Sequence, residues 1–232
     1  MQKNKILIPD YKETSLNSWK IKKGFSPPIV RGYFSGLQPS YNFENYILTK
    51  EEKVWMSLTP MELESMTPHI MSAIGRVVIA GLGMGVYLYN LINKEDVTDI
   101  AVIEKDHDLI EMIKDYGKKW GSDKVIIYEG DAFEVGEFKT EPDFLFIDIW
   151  SNLGTEKALE ESIAITNNIK PKKVGYWGQE LDFVDWLNKT KKPFPPTKEM
   201  FTEYKEEINL PLVWFKDYHL LAIEAAKNVI LY

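Results

Sequence analysis

"RVVIAGLGMGVYLYNL", residues 76–91, sets three glycines at alternate positions directly after an apolar, β-branched run. A continuous run such as "RVVIAG" (76–81) suits a strand buried on both faces, and "MGVYLYNLIN" (84–93) suits the helix that follows it. Gly81, Gly83 and Gly85 fall in the turn between them. Glycine lets a backbone turn tightly and approach a ligand closely, while the next helix aims its N-terminal N–H groups at the same spot. Close strand–helix packing alone does not call for three.

Downstream the alternation repeats. "DIAVIEK" (99–105), "KVIIYEGDA" (124–132), "PDFLFIDIW" (142–150) and "KVGYWGQE" (173–180) read as further strands. Between them lie helical stretches. The clearest is "DHDLIEMIKDYGKKW" (106–120), which gathers Leu109, Ile110, Met112, Ile113 and Tyr116 mostly on one side. "ALEESIAITNNI" (158–169) and "LDFVDWLNK" (181–189) are the others. Strands alternating with helices predict an α/β fold with a doubly wound, mainly parallel, Rossmann-like sheet. After Lys191 the pattern weakens to two helical stretches with "LPLVWF" (210–215) as a candidate strand between them.

Upstream the composition differs. Residues 1–50 are rich in Pro, Gly, Tyr and Asn and read as a small β-rich or irregular N-terminal extension, leaving 51–232 for the main domain. "LTKEEKVWMSLTPMELESMTPHIMSAIG" (48–75) reads as helical: Thr49 and Glu52 have capping-box spacing, Pro60 can restart a helix after Thr59, and Pro68 can break it.

In open parallel sheets ligands bind outside the carboxyl ends of the strands. Three of the strands end there in an acid. Glu104 can accept both hydroxyls of a ribose, Asp131 can accept from an adenine amino group, and Ala132 offers a backbone N–H beside it. Asp148 follows four apolar residues, where packing does not explain a carboxylate and burial makes one costly without a partner or ligand. A nicotinamide dinucleotide fits poorly, because the sixth position of its G-x-G-x-x-G/A fingerprint is Val86.

The totals narrow the field. With 232 residues there is room for one large domain with a small appendage. A net charge of −7 does not attract phosphate backbones, so nucleic acid is not the expected partner. Without cysteine there is no disulfide, thiolate nucleophile or Cys-ligated zinc. No apolar stretch approaches the length that spans a membrane, the N-terminal apolar run stops at Pro9, and a cytoplasmic protein is the simplest reading.

"AGLGMG", "VIEKD", "EGDAF" and "FLFIDIW", in this order and spacing, resemble the motifs of class I S-adenosylmethionine (SAM)-dependent methyltransferases, over roughly residues 75–180. The resemblance implies a seven-stranded sheet with SAM over its carboxyl edge. It implies that Gly81, Gly83 and Gly85 line the methionine and ribose region, with Glu104 on the ribose, Asp131 and Ala132 at adenine and Asp148 facing the transferred group. The spermidine synthase branch is more similar still. "LTKEEKVWMSLTPMELESM" (48–66) resembles its acid-rich segment, with Glu62 near the acidic position, and "GQE" (178–180) resembles its "Q-x-E-S". Two carboxylates of that branch are absent: Met84 stands where one holds the aminopropyl amine, and Ser151 where another holds the acceptor amine.

Asp148 is the expected catalytic residue, and Glu62, Trp150 and Gln179 the expected substrate contacts, with Trp55 and Tyr33 as further wall candidates. The [D/N]-P-P-[Y/F] signature of amide and nucleobase amino-methyltransferases is replaced by "DIWS", which argues against nucleobase amino groups as substrate, and a small-molecule acceptor is the expectation. Gln179 and Glu180 stand where metal-dependent catechol-type enzymes need Asp and Asn, so no metal is expected. Three alternatives stay open: methyl transfer from SAM, aminopropyl transfer from decarboxylated SAM, and a non-catalytic SAM-fold binding protein. A homodimer is compatible with all three.

Overall fold

The computed structural model describes residues 6–40, 45–117, 123–215 and 217–229. Six short strands come first: β1 (Thr14–Leu16), β2 (Trp19–Lys23), β3 (Ile29–Gly32), β4 (Gly36–Pro39), β5 (Tyr46–Lys50) and β6 (Lys53–Ser57). Then follow α1 (Pro60–Ser72), β7 (Gly75–Ala80), α2 (Val86–Ile92), β8 (Val97–Glu104), α3 (His107–Gly117), β9 (Val125–Glu129) and β10 (Phe144–Ile147). The chain continues through α4 (Ala158–Ile169), β11 (Val174–Tyr176), α5 (Gln179–Lys189), α6 (Lys198–Ile208) and α7 (Tyr218–Val229).

The central sheet has the order β11-β10-β7-β8-β9, and every pair in it is parallel. Successive residues of its middle strands serve opposite faces. Val77, Ile79, Val102, Phe144 and Phe146 join one core with α2, α3 and the small antiparallel sheet; Val78, Ala80, Ile103, Leu145 and Ile147 join the other with α4 to α7. Both faces are therefore dry, as the unbroken apolar runs require. The fold is the doubly wound, Rossmann-like α/β architecture the sequence predicts. Its strand order reverses between β7 and β10, and such a reversal opens a crevice at the carboxyl edge.

The resemblance implied seven strands; among the described residues the sheet has five, and "LPLVWF" contributes only a single bridge, Leu212 to Val174. The helix expected over 106–120 runs from His107 to Gly117, and residues 118–120 lie outside the described residues.

The larger correction lies at 48–59. Residues expected to begin a helix instead form the β5–β6 hairpin, and Thr49 and Glu52 form no capping box. The four-stranded sheet, order β1-β2-β5-β6, therefore runs on to Ser57, past residue 50. Glu51 and Glu52 both take left-handed backbone in the hairpin turn, φ 49° and 64°, a conformation unfavourable for glutamate. What outweighs that cost is burial: Leu48 pairs with Met56 on one side and Ile21 on the other, and all three are buried. Glu52 also meets Lys20 and Lys22 on β2. The helix begins only at Pro60, after Thr59 as its N-cap, and it continues through Pro68, which is buried within it.

Glu64 of α1 docks the β3–β4 hairpin. Its carboxylate accepts from the N–H groups of Phe34 (2.7 Å) and Ser35 (3.0 Å) and from the Ser35 hydroxyl (2.6 Å). The segment before β1 crosses α2, where the Asn90 amide accepts from the Leu7 N–H and donates to the Leu7 carbonyl, both at 2.8 Å. No helix of the described residues is long and apolar enough to cross a membrane.

Candidate functional site

All three glycines of the β7–α2 turn have left-handed backbone: φ is 95° at Gly81, 51° at Gly83 and 78° at Gly85. Gly85 is the N-cap of α2. At Gly81 there is a second constraint. A Cβ there would sit 1.9 Å from the Asp148 carbonyl oxygen, so the bare backbone is what lets the ends of β7 and β10 close together. A Cβ at Gly83 would meet the Met56 sulfur at 2.9 Å. The loop is pinned from outside: the Tyr11 hydroxyl donates to the Met84 carbonyl at 2.7 Å and the Met84 N–H points at the Met56 sulfur at 3.2 Å.

A cleft runs along this edge. Gly81, Gly83, Glu104, Asp131, Ala132 and Asp148 all line it, and its outer wall is Trp19, Lys50 and Trp55 from the antiparallel sheet. Glu104 accepts from the Leu82 N–H at 3.0 Å and the Asp106 N–H at 2.9 Å, which ties the glycine loop to the end of β8. A carboxylate has about four acceptor positions, so two remain for a pair of ribose hydroxyls. Asp131 accepts from the Phe133 N–H at 3.0 Å with one oxygen. Lys50 pairs with Asp106 at 2.6 Å and lies over the Trp19 ring at 4.9 Å.

A smaller cavity, about 310 Å³ of empty space with its mouth included, adjoins the cleft. Its walls are Trp55, Trp150 and Trp177, with Met56, Met66, Gly83, Glu62 and Asp148. Trp55, Gly83 and Asp148 line both spaces and so form the boundary between them. Two indole N–H groups are already committed: Trp150 donates to Glu161 at 2.5 Å and Trp177 to the Ser65 hydroxyl at 2.7 Å. Burial pushes the Asp148 carboxyl up to about 7. Burial also pushes Glu62 up to about 8, with the nearby Asp148 adding to the rise and hydrogen bonds from Ser57 opposing it. Among the described residues no side chain or N–H donates to the Asp148 carboxylate.

The sequence-expected residues thus separate into groups. The cofactor candidates other than Gly85 line one cleft with Asp148, Gly85 being the N-cap of α2 and outside that lining, and Glu62 and Trp150 meet Asp148 in the next. Gln179 lies apart from both. It is buried, it donates to the Tyr218 hydroxyl, and its carbonyl accepts from the Tyr176 N–H at 3.2 Å. Tyr33 is likewise buried away from the cavities and donates to Glu180 at 3.1 Å, while Tyr218 donates to the other oxygen of Glu180 at 2.6 Å. Met84 is fully buried. Trp19, Lys50, Met56 and Trp177 are wall residues the sequence reading did not select. Trp177 had a usable signal, since it directly follows the last strand, at the same carboxyl edge as Asp148.

Burial of carboxyls predicts a pH dependence of stability. Burial raises Glu62 to about 8, Asp148 and Glu180 to about 7 and Asp182 to about 6. A carboxyl whose folded value is raised keeps a proton that the unfolded chain has lost, so stability falls as pH rises from the unfolded value to the folded one. Buried His69 works the other way, being lowered to about 3 by burial, but its effect is complete once pH exceeds its ordinary 6.5. Between pH 6.5 and 8 the carboxyls therefore act unopposed by it. The melting temperature is expected to fall across that window and level off above it, as measured by circular dichroism in buffers of matched ionic strength.

No protein-family model and no curated protein matches the chain. Solved structures resemble parts of the chain. One is spermidine synthase from Thermotoga maritima, at 15% identity and a TM-score of 0.41, matching 68% of this chain and 53% of that one. Another is a dimethyladenosine transferase from Plasmodium falciparum, at 20% identity and a TM-score of 0.35, matching 45% of this chain and 36% of that one. The chain spans about half or less of the length of these two structures.

Proposed function

We propose that this chain is a transferase that binds S-adenosylmethionine in the long cleft and moves its methyl group to a small-molecule acceptor in the tryptophan-walled cavity. The observation that carries this reading is the shared boundary: Trp55, Gly83 and Asp148 belong to both spaces, so two ligands would meet at Asp148. The residues of the cleft fit the cofactor. Its glycine turn has no room for side chains, and Glu104 retains acceptor capacity for a ribose.

When bound, the cofactor supplies an electrophilic carbon on a sulfonium. The chain's part is to hold the acceptor in line, exclude water and take a proton. Asp148, with its carboxyl at about 7, suits the last task near neutral pH. The three indoles suit the first two. A nucleic acid acceptor is disfavoured by the acidic lining and by the net charge of −7. Methyl rather than aminopropyl transfer is supported by one feature: buried Met84 supplies no carboxylate for an aminopropyl ammonium.

Glu104→Gln tests the cofactor half. It keeps one acceptor oxygen for the loop but removes the charge, and hydrogen bonds to charged groups are worth about 1.5–3 kcal/mol. SAM affinity measured by calorimetry is expected to fall about tenfold to a hundredfold. An affinity within twofold of the unmodified chain would contradict the ribose assignment.

A further inference from the structure

The lining of the smaller cavity has a chemical bias beyond its size. None of its residues is basic. The N–H groups of Trp150 and Trp177 are spent on Glu161 and Ser65, so these rings offer the cavity carbon surface rather than donors. The only charged groups on the lining are Glu62 and Asp148. An anionic acceptor would meet two carboxyls and no cation. A neutral hydroxyl would gain little from them. Indole faces and carboxylates together are what attract an ammonium group.

We infer that the cavity takes the single ammonium head of a small monoamine, placed between Glu62 and Asp148, with its carbon body against Trp55, Trp150 and Trp177. This rests on the proposed function, in which Asp148 faces the acceptor. One cation, not two, fits the acid pair. Burial pushes Glu62 up to about 8, with Asp148 adding to the rise, and pushes Asp148 up to about 7, so between these values the pair carries one negative charge, held mainly by Asp148. Beyond the two acids the walls are indole and thioether, which would leave a second ammonium unpaired at a cost.

The reaction balances on these groups. The bound ammonium gives one proton to the ionised carboxylate and becomes a neutral amine. Its lone pair forms the nitrogen–carbon bond, the carbon–sulfur bond breaks with its electron pair on sulfur, and the product leaves as an alkylated ammonium. The proton on the acid pair passes to solvent.

The test uses the full chain at pH 7.5 and two calorimetric titrations. S-adenosylhomocysteine is titrated first, and the saturated protein then receives butylamine, 1-butanol, butyrate or 1,4-diaminobutane. The inference expects butylamine to bind at least tenfold tighter than 1-butanol and than 1,4-diaminobutane, with no binding of butyrate. Asp148→Asn removes the charge of the pair and should weaken butylamine at least tenfold, with S-adenosylhomocysteine affinity and melting temperature at pH 5.5 nearly unchanged. Equal binding of the alcohol, tighter binding of the diamine, or an unchanged butylamine affinity in Asp148→Asn would overturn it. Those results leave the proposed function standing if S-adenosylhomocysteine binds; failure of that first titration overturns the function itself.

Discussion

Asp148→Asn is expected to lower the transfer rate by about a hundredfold to ten-thousandfold, the usual contribution of a positioned acid or base. Asparagine keeps the size of the side chain and removes its capacity to take a proton. The cofactor affinity should stay within about threefold, because the proposed ribose and adenine contacts lie on Glu104, Asp131 and Ala132, and ~0.6 kcal/mol covers a factor of three. Stability gives an internal control. Burial lifts the carboxyl to about 7, so the folded chain resists ionising it. The variant should therefore melt higher than the unmodified chain at pH 8 and nearly equally at pH 5.5. A loss of rate accompanied by a lower melting temperature at both pH values would mean that Asp148 holds the fold rather than the acceptor.

Gly81→Ala should damage both fold and site. The added Cβ would lie 1.9 Å from the Asp148 carbonyl oxygen, a backbone atom that cannot swing aside, and φ at this position is 95°. Left-handed backbone alone costs an L-residue about 1–2 kcal/mol, and overpacking adds about 1–3 kcal/mol more. For a chain of this size, each kcal/mol lowers the melting temperature by roughly 2–4 °C. A drop of about 4–20 °C follows from these two costs, together with loss of SAM binding, because the clash pushes apart the ends of β7 and β10 where the cleft begins. Thermal denaturation and calorimetry on the same preparation check both. A stable variant that still binds SAM would show that the close approach at Gly81 is not needed.

The central sheet was legible because its signal is physical and local. Four consecutive apolar residues in "FLFI" mean two buried faces, and both cores use them. The carboxyl edge of the sheet was legible for the same reason: a carboxylate after such a run, as at Asp148, is hard to place except at a strand end. The antiparallel sheet was less so. "TKEEK" has strong helix formers, and its hairpin depends on Leu48 meeting Ile21 on one side and Met56 on the other, contacts that exist only after the chain has folded back. That misreading also hid part of the wall of the cleft, because Lys50 acquires its position from the hairpin. Gln179 shows the opposite failure. It sits after the last strand as a site residue should, yet the first turn of α5 directs it into a buried network with Tyr218.

The most direct test is a calorimetric titration of the full chain with SAM, decarboxylated SAM and NAD in parallel. The account predicts one-to-one binding of SAM, at least tenfold weaker binding of the decarboxylated form, and no binding of NAD. Tighter binding of decarboxylated SAM would contradict methyl transfer and favour aminopropyl transfer. Binding of NAD, or of none of the three, would contradict the assignment of the glycine-lined cleft to SAM.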